Sequence, residues 1–395
     1  MISFDEAVDL VRDAALPLGT ESVPIGEAAG RVLASPVVAR IESPRSDVSA
    51  MDGYAVKDGD LADLPARLRV AGESFAGGGW NGVLGAGECA RIFTGAPVPA
   101  EADCVIIQEG VRREGDLAII EERPGKARHI RKRGSDFEKG EELLSCGRVL
   151  DPRAIIAAAA ADLSQVEVHI RPSIRILSTG DELAEPGTAA AAMDAIPESV
   201  SFGIAALAGD WGADVLRRTR LRDDLDAMRE VAAEAVDAAH VVVVTGGASV
   251  GEKDFAKAMF ETAGLELIFS NVSIKPGKPV WLGRAGNALV MGLPGNPTSA
   301  FVTARLLLAP LIAGLSGRHV DEALRWKTVR LATLLQECGP RETFHRARWS
   351  GNEVELLEFQ DSSAQKALAE AELLIRQRAN SPTLSAGSDV KVLGF

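Results

Sequence analysis

The sequence predicts a multidomain α/β protein centred on a layered domain with a largely parallel sheet. Three observations carry this. Strand-like and helical segments alternate between residues 173 and 320. Residues 241–244 are all valine, an apolar run suited to a strand buried on both faces, and they empty into the glycine-rich turn TGGASVGEKD. The chain also has 395 residues, too many for one typical domain and enough for two to four.

At the amino end, SFDEAVDLVRDAALPLG carries a capping box in Ser3 and Glu6, a helical stripe of Val8, Val11 and Ala15, and a stop at Pro17 and Gly19. Residues 20–43 supply short strand-like runs. From residue 44 to 140 the signals are short alternating runs (RLRV, CARIF, DCVIIQE, LAIIEE) between turn residues, which reads as an inserted β-rich domain. Helix signals resume at LDPRAIIAAAAADL, where Pro152 stands at a helix start and the alanines favour helix.

From residue 173 the order is strand (SIRILS), loop (TGDEL), helix (VSFGIAALAGDWG), strand (DVLRRTRL), helix (DLDAMREVAAEAVDAA), strand (HVVVVT) and a helix opened by Asp254. Next come a strand (LELIFSNVSIK), a strand pair (PVWLGRA, ALVMGL) and the helix PTSAFVTARLLLAPLIAGL. The last 75 residues return to strands, with Ser350, Gly351 and Asn352 as a hairpin turn, and fit a small closing β-barrel or sandwich.

Composition narrows the class of function. Lys+Arg 43 against Asp+Glu 56 gives a net charge of −13, which disfavours nucleic acid and anionic membranes as partners. The four cysteines, Cys89, Cys104, Cys146 and Cys338, have neither CxxC spacing nor histidine pairs, so reduced structural thiols are expected, with no zinc site or disulfide framework. The chain starts directly on an amphipathic helix and no apolar run reaches membrane-spanning length. The expectation is a cytoplasmic chain without signal peptide or anchor.

Chemistry should sit in the loops after the strands, because ligands of open α/β sheets lie outside the carboxyl ends. Gly246, Gly247 and Gly251 allow backbone N–H groups to approach an anion. Asp181, Glu182, Asp223, Asp224 and Asp254 come from separate strand ends. Any one of them reads as a solvated cap, but together they suit a Mg²⁺ ion that carries phosphate and needs only one or two carboxylates. In VSIKPGKPVW a Pro-Gly turn spaces Lys275 and Lys278, fixed positive charge that suggests an oxyanion ligand. In MGLPGNPTSA, Asn296 reads as N-cap and Pro297 as first helical residue, with free N–H groups facing an anion; a well-capped structural helix is nearly as good a reading of that loop by itself. There is no GxxxxGK[ST] and no GxSxG elbow, which disfavours a P-loop nucleotidase and nucleophilic catalysis.

With these loops in view, the whole chain resembles the molybdopterin molybdenumtransferases, the family of bacterial MoeA proteins and the gephyrin E domain. The resemblance runs in order through SAMDGYAV, RIFTGAPVP, ADCVIIQE, IRKRGSDFEKGE, LSTGDEL, GGASVGEKDF, IKPGKP, GLPGNPTSA and GPRETFHRAR. It implies a linking domain from residues 1–43 and 141–172, an inserted β-rich domain at 44–140, a three-layer molybdopterin-binding α/β domain at 173–320 and a C-terminal β-barrel at 321–395. The implied reaction takes adenylylated molybdopterin and molybdate, releases AMP and leaves molybdenum on the dithiolene. Asp223, Asp254 and Glu182 would surround pyrophosphate and Mg²⁺, and Lys275 and Lys278 anionic oxygens. Gly246, Gly247, Ser249, Gly295 and Asn296 would line the substrate site, with Arg341 and Ser362 near the oxyanion. Asp52, Thr94 and Asp136 match residues that a partner subunit brings to the cleft, so a homodimer is implied; by themselves Asp52 and Thr94 read as turn or cap residues. A molybdopterin adenylyltransferase and molybdenum-enzyme maturation proteins are the further partners the resemblance suggests.

Two positions depart from the family. Glu198, Ser199 and Val200 stand where members usually have DSN, and Asn271 stands where members often carry a basic residue. These departures motivate an alternative, a paralogue that binds and delivers molybdopterin or the finished cofactor without turnover. Retention of Asp223, Asp254, Lys275 and Lys278 favours the enzyme, acting by positioning and electrostatic stabilisation.

Overall fold

The structure, a computed structural model, describes residues 1–123, 125–246 and 255–395. The first helix, Phe4–Ala14, has the expected capping box: the Ser3 hydroxyl oxygen accepts from the Glu6 N–H at 3.2 Å and the Glu6 carboxylate from the Ser3 N–H at 2.7 Å. Its apolar stripe, Phe4, Ala7, Val8 and Val11, joins the same core as the helical span 297–315. Thr20–Pro24 pairs antiparallel with Gln165–His169, and Val37–Val38 with Glu142–Leu144, so segments on either side of the β-rich region are stitched together. The helix Pro152–Ala160 is capped by Asp151, whose carboxylate accepts from Ala154 N–H at 2.8 Å.

Between those flanks, six strands order as Cys104–Ile107, Gly53–Val56, Glu88–Ile92, Ala66–Ser74, Leu117–Ile120 and Val111–Glu114. The short alternating runs predict this. Cys89 and Cys104 lie buried there, and burial pushes their thiols up to about 12 and about 11, which removes any thiolate reactivity. All four cysteines are free.

The central sheet has the order Asp214–Leu221, Ser173–Thr179, Val241–Thr245, Ala288–Leu293, Trp281–Ala285, Glu266–Ser270. The first four run parallel and the last two close the edge antiparallel. Successive valines serve opposite faces: Val241 and Val243 pack with helices Phe4–Ala14 and Val200–Asp210, whereas Val242 and Val244 pack with Leu225–Ala238. Helices thus cover both faces, giving three layers, and the run is apolar at every position because neither face meets water.

The helix entered at Pro297 continues to Leu315 through a π-turn at Ala304–Leu308. Pro310 has no N–H and crowds the preceding turn, and the wider turn accommodates it. This 19-residue span is long and apolar enough to cross a membrane, which corrects the expectation that no run reaches that length. It is apolar all round because 94% of its apolar window is buried inside the protein.

Two further expectations need correction. The strand read through LELIFSNVSIK breaks at Asn271, whose φ of 63° no extended strand allows. Its second half, Ile274–Lys275, leaves the central sheet and pairs in parallel with Glu342–Ser350 of the carboxyl-terminal sheet. The helix expected to run from Asp254 to about residue 264 is four described residues, Phe255–Ala258, before turns take over. The carboxyl-terminal strands order as Ile274–Lys275, Glu342–Ser350, Leu373–Gln377, Asp389–Gly394, Lys327–Arg330, with Glu353–Leu356 also on Glu342–Ser350. One bridge, Leu331 to Val354, brings the far end of this sheet back towards its start.

Candidate active site

Register brings the central loops to one level. Thr179 pairs with Leu221, Ser178 with Thr245, and Thr245 with Leu293, so the chain leaves neighbouring strands side by side at residues 180, 222, 246 and 294. Those loops enclose a cavity of about 730 Å³. Glu182, Asp223, Gly246, Gly295 and Asn296 all line it, five of the expected site residues gathered from four strand ends. The Asp181 carboxylate accepts the Asp223 N–H at 3.2 Å, so of the two acids in the TGDEL loop one holds the neighbouring loop and the other faces the cavity. Asp224 proves to be a cap, accepting from Asp226 and Ala227 N–H at the start of Leu225–Ala238.

Gly246 has φ +90°, and a Cβ there would lie 2.5 Å from the Thr179 carbonyl oxygen. Only glycine lets these strand ends converge. Gly247, Ser249 and Asp254 lie outside the described residues.

Lys275 and Lys278 are exposed on either side of the Pro-Gly turn, and neither lines the cavity, although Pro279 does. Gly277 holds that turn at φ +105°, where a Cβ would sit 2.2 Å from the Thr303 hydroxyl oxygen of the core helix. Arg341 meets this turn from the carboxyl-terminal sheet: its Nη1 reaches the Ile274 carbonyl at 3.4 Å, one residue from Lys275, which pairs with Thr343. Beyond it, His345 donates through Nε2 to Gln377 Oε1 at 2.8 Å, because the Gln377 amide N–H₂ is itself committed to the Gln336 carbonyl. Burial, and to a lesser degree the Lys275 ammonium, holds the His345 pKa below its ordinary value.

The loop GLPGNPTSA needs a correction. Asn296 has N-cap backbone angles but its side chain makes no cap hydrogen bond. Its amide donates instead to the Ser362 hydroxyl at 2.9 Å, and the Thr298 N–H is taken by the Ser362 carbonyl at 3.2 Å. Part of the helix start expected to face an anion is therefore covered by a loop from the carboxyl-terminal region, which also brings Ser363 and Gln365 to the cavity wall. Sequence reasoning missed Ser363 and Gln365. Nothing local marks them, since they reach the cavity only through this docking.

Asp52, Thr94 and Asp136 do not line the cavity. Asp52 and Thr94 form a unit: the Asp52 carboxylate accepts from the Thr94 N–H at 2.7 Å and its hydroxyl at 2.8 Å. The Thr94 N–H first, then its hydroxyl, hold the Asp52 pKa below the usual carboxylate value. Asp136 is exposed beside the Ser43–Phe137 bridge.

Comparison with known proteins follows the same outline. Residues 2–162 match the family described as MoeA N-terminal region (domain I and II), and residues 175–314 match a family described as probable molybdopterin binding domain. A molybdopterin molybdenumtransferase of Haemophilus influenzae is 34% identical over 100% of this chain and 99% of its own. A molybdopterin molybdenumtransferase of Nostoc is 32% identical over 95% and 88%. A solved structure of the molybdopterin biosynthesis MoeA protein of Pyrococcus horikoshii superposes with TM-score 0.85 at 25% identity, covering 100% of both chains.

Proposed function

Since the chain belongs to the molybdopterin molybdenumtransferase family, a family of transferases of molybdenum cofactor biosynthesis, we propose that it moves molybdenum from molybdate to adenylylated molybdopterin with release of AMP. One observation carries the reading: acidic Glu182 and Asp223, the Gly246 backbone and the Gly295–Asn296 pair share one cavity at the carboxyl edge of the sheet. Exposed Lys275 and Lys278 stand beside it on a turn whose glycine is held against the core helix.

In this reading Lys275, Lys278 and Arg341 hold anionic oxygens of substrate, and the loops hold the reacting groups in place; rate enhancement comes from positioning and fixed charge. Mg²⁺ is the implied cation. Among the described residues no three acidic, histidine or cysteine side chains converge closely enough to form a metal cage. The two cavity-lining carboxylates, Glu182 and Asp223, suit an ion that keeps most of its waters and takes its other ligands from phosphate. Asp254 would be a third. When bound, such an ion would neutralise phosphate charge. Asp52, Thr94 and Asp136 act in a homodimer, each reaching the cavity of the other subunit.

The test is AMP release from adenylylated molybdopterin with and without molybdate. Release that requires molybdate supports the transferase; tight substrate binding with no release under any condition identifies a binding and delivery protein instead.

A further inference from the structure

We propose that Glu198 reads the 2-amino-4-oxo edge of the pterin, which makes it the residue that selects the heterocycle in the cavity. The inference rests on the reading of the cavity as the molybdopterin site. Glu198 lines the cavity yet is only 6% exposed. A buried carboxylate is costly unless its oxygens are satisfied. Here Oε1 accepts the Ser201 N–H at 2.8 Å and Oε2 the Ser201 hydroxyl at 2.5 Å. Among the described residues it forms no ion pair.

The orientation is fixed from behind. Arg218 Nη1 lies 3.2 Å from the Ser201 Oγ, and a guanidinium only donates, so the single hydroxyl proton must point to Glu198. Arg218 is in turn seated over the Phe202 ring, 3.5 Å from its centroid. The Glu198 backbone is anchored too, its N–H on the Ala184 carbonyl at 2.8 Å. Each carboxylate oxygen has one acceptor site left after Ser201, in a residue held from two sides and bordering the cavity. Beside it stand Leu183, Ile196, Pro197 and Val200, which offer a flat ring apolar walls.

Two adjacent acceptors match two adjacent donors. A pterin presents N3–H next to a 2-amino group. Adenine presents an amino group next to a ring nitrogen lone pair, which a carboxylate repels. Lumazine has the pterin ring with the amino group replaced by a carbonyl, and so loses one donor and turns an acceptor towards Glu198. Guanosine carries the same two donors on a purine.

The experiment is calorimetric binding of pterin, lumazine and guanosine to the full-length wild type, Glu198→Gln and Glu198→Asp. Wild type is expected to prefer pterin over lumazine by on the order of tenfold, the size of a charge-assisted bond. Glu198→Gln, whose amide nitrogen donates where an acceptor is needed, should lose that preference at an unchanged melting midpoint; a residue serving only as a helix cap would leave the ratio alone. Glu198→Asp keeps the charge and should keep pterin preferred, which covers the case in which the glutamine variant fails to fold. An identical pterin-to-lumazine ratio in wild type and Glu198→Gln overturns the proposal while leaving the site reading intact. Guanosine binding as tightly as pterin overturns the pterin assignment. No pterin binding to wild type that still binds AMP overturns the underlying site reading.

Discussion

The Asn296 amide donates to the Ser362 hydroxyl oxygen at 2.9 Å, and through this contact the carboxyl-terminal region becomes part of the cavity. Because the Asn296 side chain does not cap its own helix, its loss should disturb docking more than helix stability. Asn296→Ala and Ser362→Ala, combined in a double-mutant cycle on substrate binding, should couple by about 1 kcal/mol, the size of one hydrogen bond. Strict additivity would mean that the contact has no role in the site.

Lys275→Ala should abolish AMP release while leaving stability within about 0.5 kcal/mol, since Lys275 is exposed and supports no core. Asp254→Asn should likewise abolish turnover, and any residual activity should depend less on added Mg²⁺. Steady-state kinetics beside a melting curve checks both. Near wild-type turnover in either variant would put the chemistry elsewhere.

Mixing inactive Asp52→Ala with inactive Lys275→Ala should restore activity if subunits exchange. Random pairing makes half the dimers mixed, and each mixed dimer carries one intact site, so about a quarter of wild-type activity returns. No recovery from a preparation shown to contain mixed dimers would place Asp52 outside the partner's cleft.

Asn271→Lys adds the ammonium that the sequence comparison makes attractive, but Asn271 holds φ 63°, which asparagine tolerates better than lysine. The Lys257 ammonium already donates to the Ser270 hydroxyl at 3.1 Å, next to the new charge. The variant should lose about 1 kcal/mol of stability. It should bind the adenylylated substrate a few-fold tighter at low ionic strength, roughly the gain of one screened charge. The gain should vanish at high salt; calorimetry at two salt concentrations measures it, and equal affinities throughout would mean that position 271 does not face the ligand.

His345 should make stability pH-dependent. Burial lowers its pKa below the ordinary 6.5, so on acidification the unfolded chain takes up a proton before the folded one does. Its contribution is complete above 6.5 and is lost as pH falls from there through the lowered folded value. Urea unfolding of wild type and His345→Gln at mildly acidic and neutral pH should show a shallower slope in the variant; parallel curves would refute the assignment.

The sequence by itself determined the elements whose causes are local. The Ser3–Glu6 capping box, Asp151 before Pro152, the all-valine strand and the Gly351 turn each act within a few residues, through backbone N–H satisfaction, period or positive φ. The convergence of Glu182, Asp223, Gly246 and Gly295 was legible for the same kind of reason, because parallel strands in register deliver their loops to one edge. Tertiary structure alone decided what crosses between sheets. Asn271 turns the chain so that Lys275 pairs beside Thr343, Ser362 takes the helix start assigned to an anion, and Arg218 orients Ser201 so that Glu198 faces the cavity. Each of these contacts joins residues 17 to 68 positions apart. No local propensity encodes such a contact, and only packing of the finished layers brings the partners within reach.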